Sequence, residues 1–254
     1  MAPTRHAPHA SGSKYAEHHH HWMGRALDLA HSARGQVWPN PAVGCVIVRN
    51  DSIVGEGCTQ PGGRPHAERI ALDAAGPDAR GATLYVTLEP CCHWGQTPPC
   101  VDAIIRAGIA AVHAARRDPD PRVDGRGFDR LRSAGLDVQV GLGAGMATDL
   151  MDGFFHRIAT GHPRIEIARP GQSNTPIPQG FDAVLHSDGR CIAVIARTAN
   201  GPCTIEQLDT SGGAHAWLDT LGGLGLTRVH VAPDDPIADR LRIDLAQECT
   251  NPVA

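Results

Sequence analysis

His66 and Glu68 stand two residues apart in Pro65-His66-Ala67-Glu68, and two thiols, Cys91 and Cys100, follow in Glu89-Pro90-Cys91-Cys92-His93-Trp94-Gly95-Gln96-Thr97-Pro98-Pro99-Cys100. One imidazole and two thiolates suit a tetrahedral zinc ion. Three protein ligands leave its fourth position open for water, as a catalytic site requires. A metal so held lowers the pKa of its bound water towards ~7 and makes hydroxide available at neutral pH. Glu68 falls on the first turn of the helix that follows His66. There its carboxylate lies beside the metal without ligating it, placed to take a proton from water and pass it to a departing nitrogen.

His-x-Glu followed by Pro-Cys and a second Cys is the pattern of zinc deaminases. Either half arises readily by chance; the two together, in this order and each at a strand-to-helix junction, are specific. A closed structural site using Cys92 as fourth ligand is the competing reading. Adjacent cysteines rarely share one tetrahedral ion, and a closed site leaves Glu68 without a task. The run His18 to His21 is contiguous, so it cannot converge on one ion as spaced ligands do, and it reads as a solvated approach to a helix.

The elements that must position these residues are legible around them. Met23, Ala26, Leu27 and Ala30 recur at helical spacing, with Gly35 as a stop. Val43 to Val48, a turn at Asn50-Asp51 and Ile53-Val54 predict a hairpin. Helices are predicted over His66–Ala75, Pro98–Ala107, Phe128–Ala134 and about Met146–Ile158, with strands at 84–86, 110–115 and 138–140. This alternation implies a three-layer α/β/α domain with a mixed sheet over residues 18–163, after a disordered lead-in at 1–17. Residues 170–180 read as a linker. Strands at 183–185, 192–195 and 229–231 and a helix at 214–221 predict a small α/β lobe over 164–254.

Bulk properties narrow the setting. Apolar residues make up 41% of the chain and charged residues 20%, and the net charge is −4. That balance is ordinary for a soluble protein and lacks the basic face that nucleic-acid binding needs. Lys14 is the only lysine, so a Schiff-base mechanism is excluded unless Lys14 reaches a site, and phosphate contacts fall to Arg, His, hydroxyls or backbone N–H groups. No apolar run reaches membrane-spanning length, and the N-terminus carries no apolar core of the secretory kind. Eight cysteines, three of them within ten residues, favour metal binding in a reducing, cytoplasmic compartment over a disulfide framework.

From about Met23 to Ala168 the chain resembles the deaminase domain of the bifunctional riboflavin-biosynthesis deaminase/reductase, a cytidine-deaminase-like family. The stretches that carry the resemblance are PNPAVGCVIV (39–48), GGRPHAERIAL (62–72), GATLYVTLEPCCHWGQTPPCVDAIIRAGI (81–109), RDPDPRVDGRG (117–127) and GFFHRIATGHP (153–163). The eight residues between Cys91 and Cys100 discriminate, since nucleoside and transfer-RNA deaminases of this fold place their cysteines two residues apart. The resemblance implies zinc-dependent deamination of a ribosylated diaminopyrimidinone 5′-phosphate, with release of ammonia. It places Asn40 near the pyrimidine, where a side-chain amide both donates and accepts, although Asn40 also fits a simple turn between two prolines. It places His93, Thr97, Asp118, Arg122, Gly125 and Arg126 around the ribose phosphate; for Asp118 and Arg122 a surface ion pair is an equal alternative. The family habit, with Ala/Leu-rich helical surfaces, makes a homo-oligomer the expected state.

The departures matter too. Asp120 stands where the family usually has Asn, and Asp124 where it has a small residue. Two carboxylates beside a phosphate pocket repel the ligand, so either they turn away or the substrate differs. Cys92 is often Ser in the family, as suits a non-ligand. A bifunctional member carries about two hundred residues of reductase. This chain offers ninety, without the lysine-bearing strand or the Gly-Gly cofactor segment, so the lobe reads as a degenerate reductase remnant and reductase activity is not expected. GLGAG at 141–145 lacks the full dinucleotide fingerprint. Deamination of another aminopyrimidine or pterin-like intermediate, and a non-catalytic zinc-bearing scaffold, remain as alternatives.

Overall fold

The computed structural model describes residues 10–169 and 177–243. Its strands form two five-stranded sheets, and the chain divides into two compact units. In the first, α1 (Ala10–Ala33) leads to β1 (Gly44–Arg49) and β2 (Ser52–Cys58), then α2 (Ala67–Ala75), β3 (Thr83–Val86), α3 (Cys100–Ala107), β4 (Ala111–Ala114), α4 (Arg126–Ser133) and β5 (Asp137–Val140). The sheet order is β2-β1-β3-β4-β5. β1 runs antiparallel to β2 and β3, while β3, β4 and β5 are parallel. This is the three-layer α/β/α arrangement with a mixed sheet that the alternation predicts.

Asn50 and Asp51, at φ 50° and 57°, close the β1–β2 hairpin between Arg49 and Ser52. Two consecutive left-handed residues match the twist of paired strands, and Asn and Asp tolerate that region best among residues with a side chain. β1 is buried along all but its last residue, as a central strand covered on both faces must be.

Two expectations at the N-terminus are corrected. Residues 10–17, expected to lack structure, belong to α1; no proline lies between Pro8 and Pro39 to interrupt a helix. Residues 1–9 lie outside the described residues. The histidine run is not uniformly solvated either. His20 and His21 are exposed, but His19 stacks on His113 with ring centroids 4.2 Å apart, and His113 stacks on Tyr85 at 5.1 Å. The Tyr85 hydroxyl lies 2.7 Å from His19 Nδ1. Burial, reinforced by the neighbouring His19 ring, holds the His113 pKa down at about 4. Helical spacing brings every third or fourth residue inward, so one member of a contiguous run is carried onto the sheet whatever its polarity.

The helix expected over 146–158 is two helices, α5 (Ala144–Leu150) and α6 (Asp152–Thr160), broken at Met151 (φ −107°, ψ 18°). Asp152 explains the break. At the start of α6 its carboxylate accepts the N–H of Gly153 at 2.8 Å, and it pairs with Arg228 at 2.6 Å and Arg164 at 3.1 Å. A carboxylate is stabilised at a helix N-terminus and not in a helix interior.

The second sheet has the order β6-β10-β7-β8-β9, built from β6 (Arg164–Ile167), β7 (Ala183–Ser187), β8 (Cys191–Thr198), β9 (Gly201–Asp209) and β10 (Arg228–Val231). β10 is parallel to β6 and β7, and β7, β8 and β9 form an antiparallel meander. α7 (Ala214–Gly223) contributes Trp217 and Leu221 to a core shared with Leu185, Ile192, Val194 and Val229. β6 and β9 were not anticipated. β6 (Arg164-Ile165-Glu166-Ile167) alternates charged and apolar residues but is only four residues long. β9 is an edge strand that carries Pro202 and faces solvent along most of its length, so neither gives a sustained apolar pattern. Of the expected linker, residues 170–176 lie outside the described residues. Among the described residues, no helix is long and apolar enough to cross a membrane.

Candidate active site

His66 is the residue immediately before α2, and Glu68 is the second residue of that helix. Cys100 opens α3, and Cys91 lies in the segment between β3 and α3. One ligand atom from each of His66, Cys91 and Cys100 lies within 4.8 Å of the others. A tetrahedral ion with bonds of about 2.0–2.3 Å needs its ligands a little under 4 Å apart, so one imidazole and two thiols at this separation fit a single zinc ion.

The backbone N–H of Cys100 donates to Cys91 Sγ at 3.3 Å. That donor, at the start of α3, favours a thiolate on Cys91. The Cys100 thiol is pushed well up by its hydrogen bond with the Cys91 sulfur, then by burial and by the charge of Glu68. A cation offsets all three effects, since each arises from placing negative charge where none balances it. Glu68 is 4% exposed. Its charge raises the thiol pKa of both Cys100 and Cys45, which places the carboxylate beside the cysteine ligand set and out of bulk water.

Asn40 donates its side-chain amide to the Gly63 carbonyl at 2.7 Å, and the same nitrogen lies 3.4 Å from His66 Nε2. It is thus more than a turn residue: it ties the segment before α2 and borders the imidazole. Cys92 points elsewhere. Its thiol donates to the Arg122 carbonyl at 3.7 Å, and it is not among the residues whose ligand atoms converge.

The segment 117–126 holds the other expected contacts. Asp118 is buried, and burial pushes its carboxyl up to about 7, with nearby Asp120 and Glu89 adding to the effect. Arg122 does not pair with Asp118. Its guanidinium grips Asp120, with Nε 2.9 Å from Oδ1, and this bond is the main cause of the lowered Asp120 pKa. Asp124, at φ 32°, pairs with Arg117 at 3.0 Å. Both carboxylates that depart from the family pattern are therefore matched to an arginine. His93 lies close enough to Asp120 to stabilise its charge. Thr97 and Arg126 are exposed.

A residue that sequence reasoning missed organises this segment. Glu89 is buried, and its carboxylate accepts the N–H groups of Asp118 at 3.3 Å, Gly125 at 3.0 Å, Gly127 at 2.9 Å and Phe128 at 3.3 Å. The Gly-rich turn and the start of α4 are an anion-binding arrangement, and the anion they bind is the protein's own. The Gly125 N–H is accordingly taken by Glu89. The available signal was a carboxylate directly before Pro90-Cys91 in an otherwise apolar segment, which suggests a buried and hence satisfied charge.

Residues 16–116 match the model of the family described as cytidine and deoxycytidylate deaminase zinc-binding region. The riboflavin biosynthesis protein RibD of Escherichia coli is 54% identical over 147 residues, 58% of this chain and 40% of that protein. The chain therefore spans less than half the length of this relative. A protein of Buchnera aphidicola named diaminohydroxyphosphoribosylamino-pyrimidine deaminase is 48% identical over 142 residues, 56% of this chain and 97% of that protein. Among solved structures, RibD of Acinetobacter baumannii superposes with a TM-score of 0.69 at 28% identity, covering 86% of this chain and 81% of the other.

Proposed function

Because the chain belongs to the diaminohydroxyphosphoribosylaminopyrimidine deaminase family, we propose that it catalyses the zinc-dependent hydrolytic deamination of a ribosylated diaminopyrimidinone 5′-phosphate, releasing ammonia, as a step of riboflavin biosynthesis. The observation that carries the reading is the convergence of His66, Cys91 and Cys100 with a buried Glu68 beside them. A closed, purely structural metal site has no use for that carboxylate.

In this reading His66, Cys91 and Cys100 hold the ion. Zinc supplies Lewis acidity that brings the pKa of a water ligand down to about 7. Glu68 takes the proton from the attacking water and delivers it to the departing amine, and its burial keeps that transfer apart from bulk water. Asn40 faces the pyrimidine with its amide. His93, Thr97, Asp118, Arg122 and Arg126 surround the ribose and phosphate, Arg122 and Arg126 supplying charge and Asp118 a carboxyl that donates to a hydroxyl when protonated. Gly125 contributes the shape of the turn, since its N–H is committed to Glu89.

We assign this activity to residues 18–163 and no reduction to residues 164–254, which carry the second sheet. None of the seven cysteines among the described residues is in a disulfide, which suits a reducing compartment such as the cytoplasm. Self-association belongs to the same reading; Trp94, 73% exposed in the segment between Cys91 and Cys100, is a large apolar group for a second copy to cover.

Zinc-loaded protein incubated with the phosphorylated diaminopyrimidinone should release ammonia, and Glu68→Gln should reduce the rate at least ~10²-fold while keeping the metal. Ammonia release unchanged by that substitution overturns the mechanism. Turnover of a different aminopyrimidine in place of this one reassigns the substrate.

A further inference from the structure

We propose that His162, His215 and Asp219 form a second site for a divalent transition metal, within the unit that contains the second sheet and independent of the deaminase centre. His215 and Asp219 are four residues apart on α7, so their side chains rise from one face of that helix. His162 reaches the same point from the turn that follows α6. One ligand atom from each of the three lies within 4.8 Å of the others. His162 Nε2 is 2.9 Å from Asp219 Oδ1, and the two imidazole rings meet edge to face with centroids 5.0 Å apart.

The backbone holds this arrangement in place. Gly222 of α7 lies directly against the turn, and a Cβ there would come within 1.8 Å of the Gly161 carbonyl oxygen. Only a residue without a side chain allows the helix to approach so closely, and the approach fixes where His162 stands relative to α7. The His162 side chain is 14% exposed while that of Asp219 is 63% exposed, so one ligand is anchored and another reaches into water.

The donor set selects the occupant. Two imidazoles and one carboxylate suit Zn2+, Ni2+, Co2+ or Cu2+, whereas Ca2+ and Mg2+ take oxygen ligands. Affinity among the former rises from Co2+ through Ni2+ to Cu2+. Three ligands leave coordination positions to water. The site opens to solvent instead of into a dry cavity, so the ion's task is to clip the turn after α6 to α7. A metal that binds only the folded form stabilises it in proportion to the logarithm of its concentration.

The competing account is a plain His162–Asp219 ion pair, and metal counting separates the two. The full chain carrying His20→Ala and His21→Ala, which silence the exposed part of the histidine run, is equilibrated with Co2+, and bound cobalt per chain is measured by mass spectrometry. His215→Ala in that background should lower the count by one, and Asp219→Asn, which preserves the shape of the side chain, should weaken the same equivalent by tenfold or more. Thiolate-to-cobalt charge-transfer absorption reports the centre containing Cys91 and Cys100 separately, and it should be unchanged in both variants. A cobalt count that neither substitution alters overturns the proposal. So does a thermal unfolding midpoint that rises with Co2+ equally in the parent and in both variants.

Discussion

Glu89 Oε1 accepts the Gly127 N–H at 2.9 Å, and the Gly127 Cα sits so close to the next residue of the cysteine segment that a Cβ would lie 2.4 Å from the Pro90 carbonyl oxygen. One carboxylate thus joins the segment entering Cys91 to the turn that carries Asp118, Arg122 and Gly125. Glu89→Gln replaces one acceptor oxygen by an NH2 that faces N–H donors. It should cost about 2–4 kcal/mol of stability, since buried donors lose a charged acceptor. Deamination should fall about tenfold or more while bound zinc per chain matches that of the wild type. Gly127→Ala should cost about 1–3 kcal/mol by overpacking. Thermal unfolding beside metal analysis checks both; wild-type stability in Glu89→Gln would show that the four hydrogen bonds hold nothing in place.

Asp118 gives the stability a pH dependence of unusual sign for a carboxylate. Its carboxyl is raised from the ordinary 3.8 to about 7 in the folded chain, chiefly by burial. Between these values the folded form keeps a proton that the unfolded form has lost, so stability falls as pH rises from about 4 to 7, by up to a few kcal/mol. His113 acts with the opposite sign over much of this range, so Asp118→Asn should gain more stability than the wild type as pH rises from about 4 to 7. Because a charged Asp118 repels a phosphate, KM in the wild type should also climb above pH 7 and climb less in the variant. Denaturant midpoints and KM measured across pH 5 to 9 test both statements.

Cys92 and Cys91 are neighbours in sequence and should differ sharply in consequence. Cys92→Ser should retain zinc and keep activity within about twofold, since only a weak bond to the Arg122 carbonyl is exchanged for a similar one. Cys91→Ser replaces a soft thiolate by a hydroxyl and should lower zinc affinity by tenfold or more and abolish turnover. Chelator treatment of the wild type should reproduce the Cys91→Ser loss and be reversed by added zinc. Loss of zinc in Cys92→Ser would restore the closed four-ligand site.

The His19–His113–Tyr85 stack predicts acid sensitivity. His113 is buried and titrates at about 4, against 6.5 for an unperturbed imidazole. The unfolded chain binds the proton first, so stability is lost as pH falls from 6.5 towards 4, by up to about 3 kcal/mol. His113→Phe keeps a ring in the stack and removes the proton site. The difference between its unfolding midpoint and that of the wild type should shift in the variant's favour as pH falls from 7 to 4.5.

What the sequence disclosed follows from how local each signal is. The hairpin around Asn50-Asp51, the helices after His66 and before Gly108, and the convergence of His66, Cys91 and Cys100 all rest on residues within a few positions of one another or on a motif whose chemistry dictates its geometry. Glu89 was missed because its partners lie 29 to 39 positions away, and nothing near it in sequence marks them as N–H groups in need of an acceptor. The pairing of Arg122 with Asp120 instead of Asp118 depends on a two-residue backbone turn that composition does not reveal. β9 was invisible for a related reason: an edge strand buries little, so its apolar pattern is weak.

That weak strand has a consequence for how copies of the chain can meet. β9 ends its sheet, places Pro202 opposite Arg197 near its start and carries Glu206 farther along. Proline offers no N–H to a newcomer, and a charged side chain at the rim discourages stacking of like edges. The β9 edge is therefore a poor template for continuing the sheet from one molecule into the next. This guards the folded chain against runaway polymerisation there, and it leaves reversible assembly to side-chain surfaces, whose geometry can close.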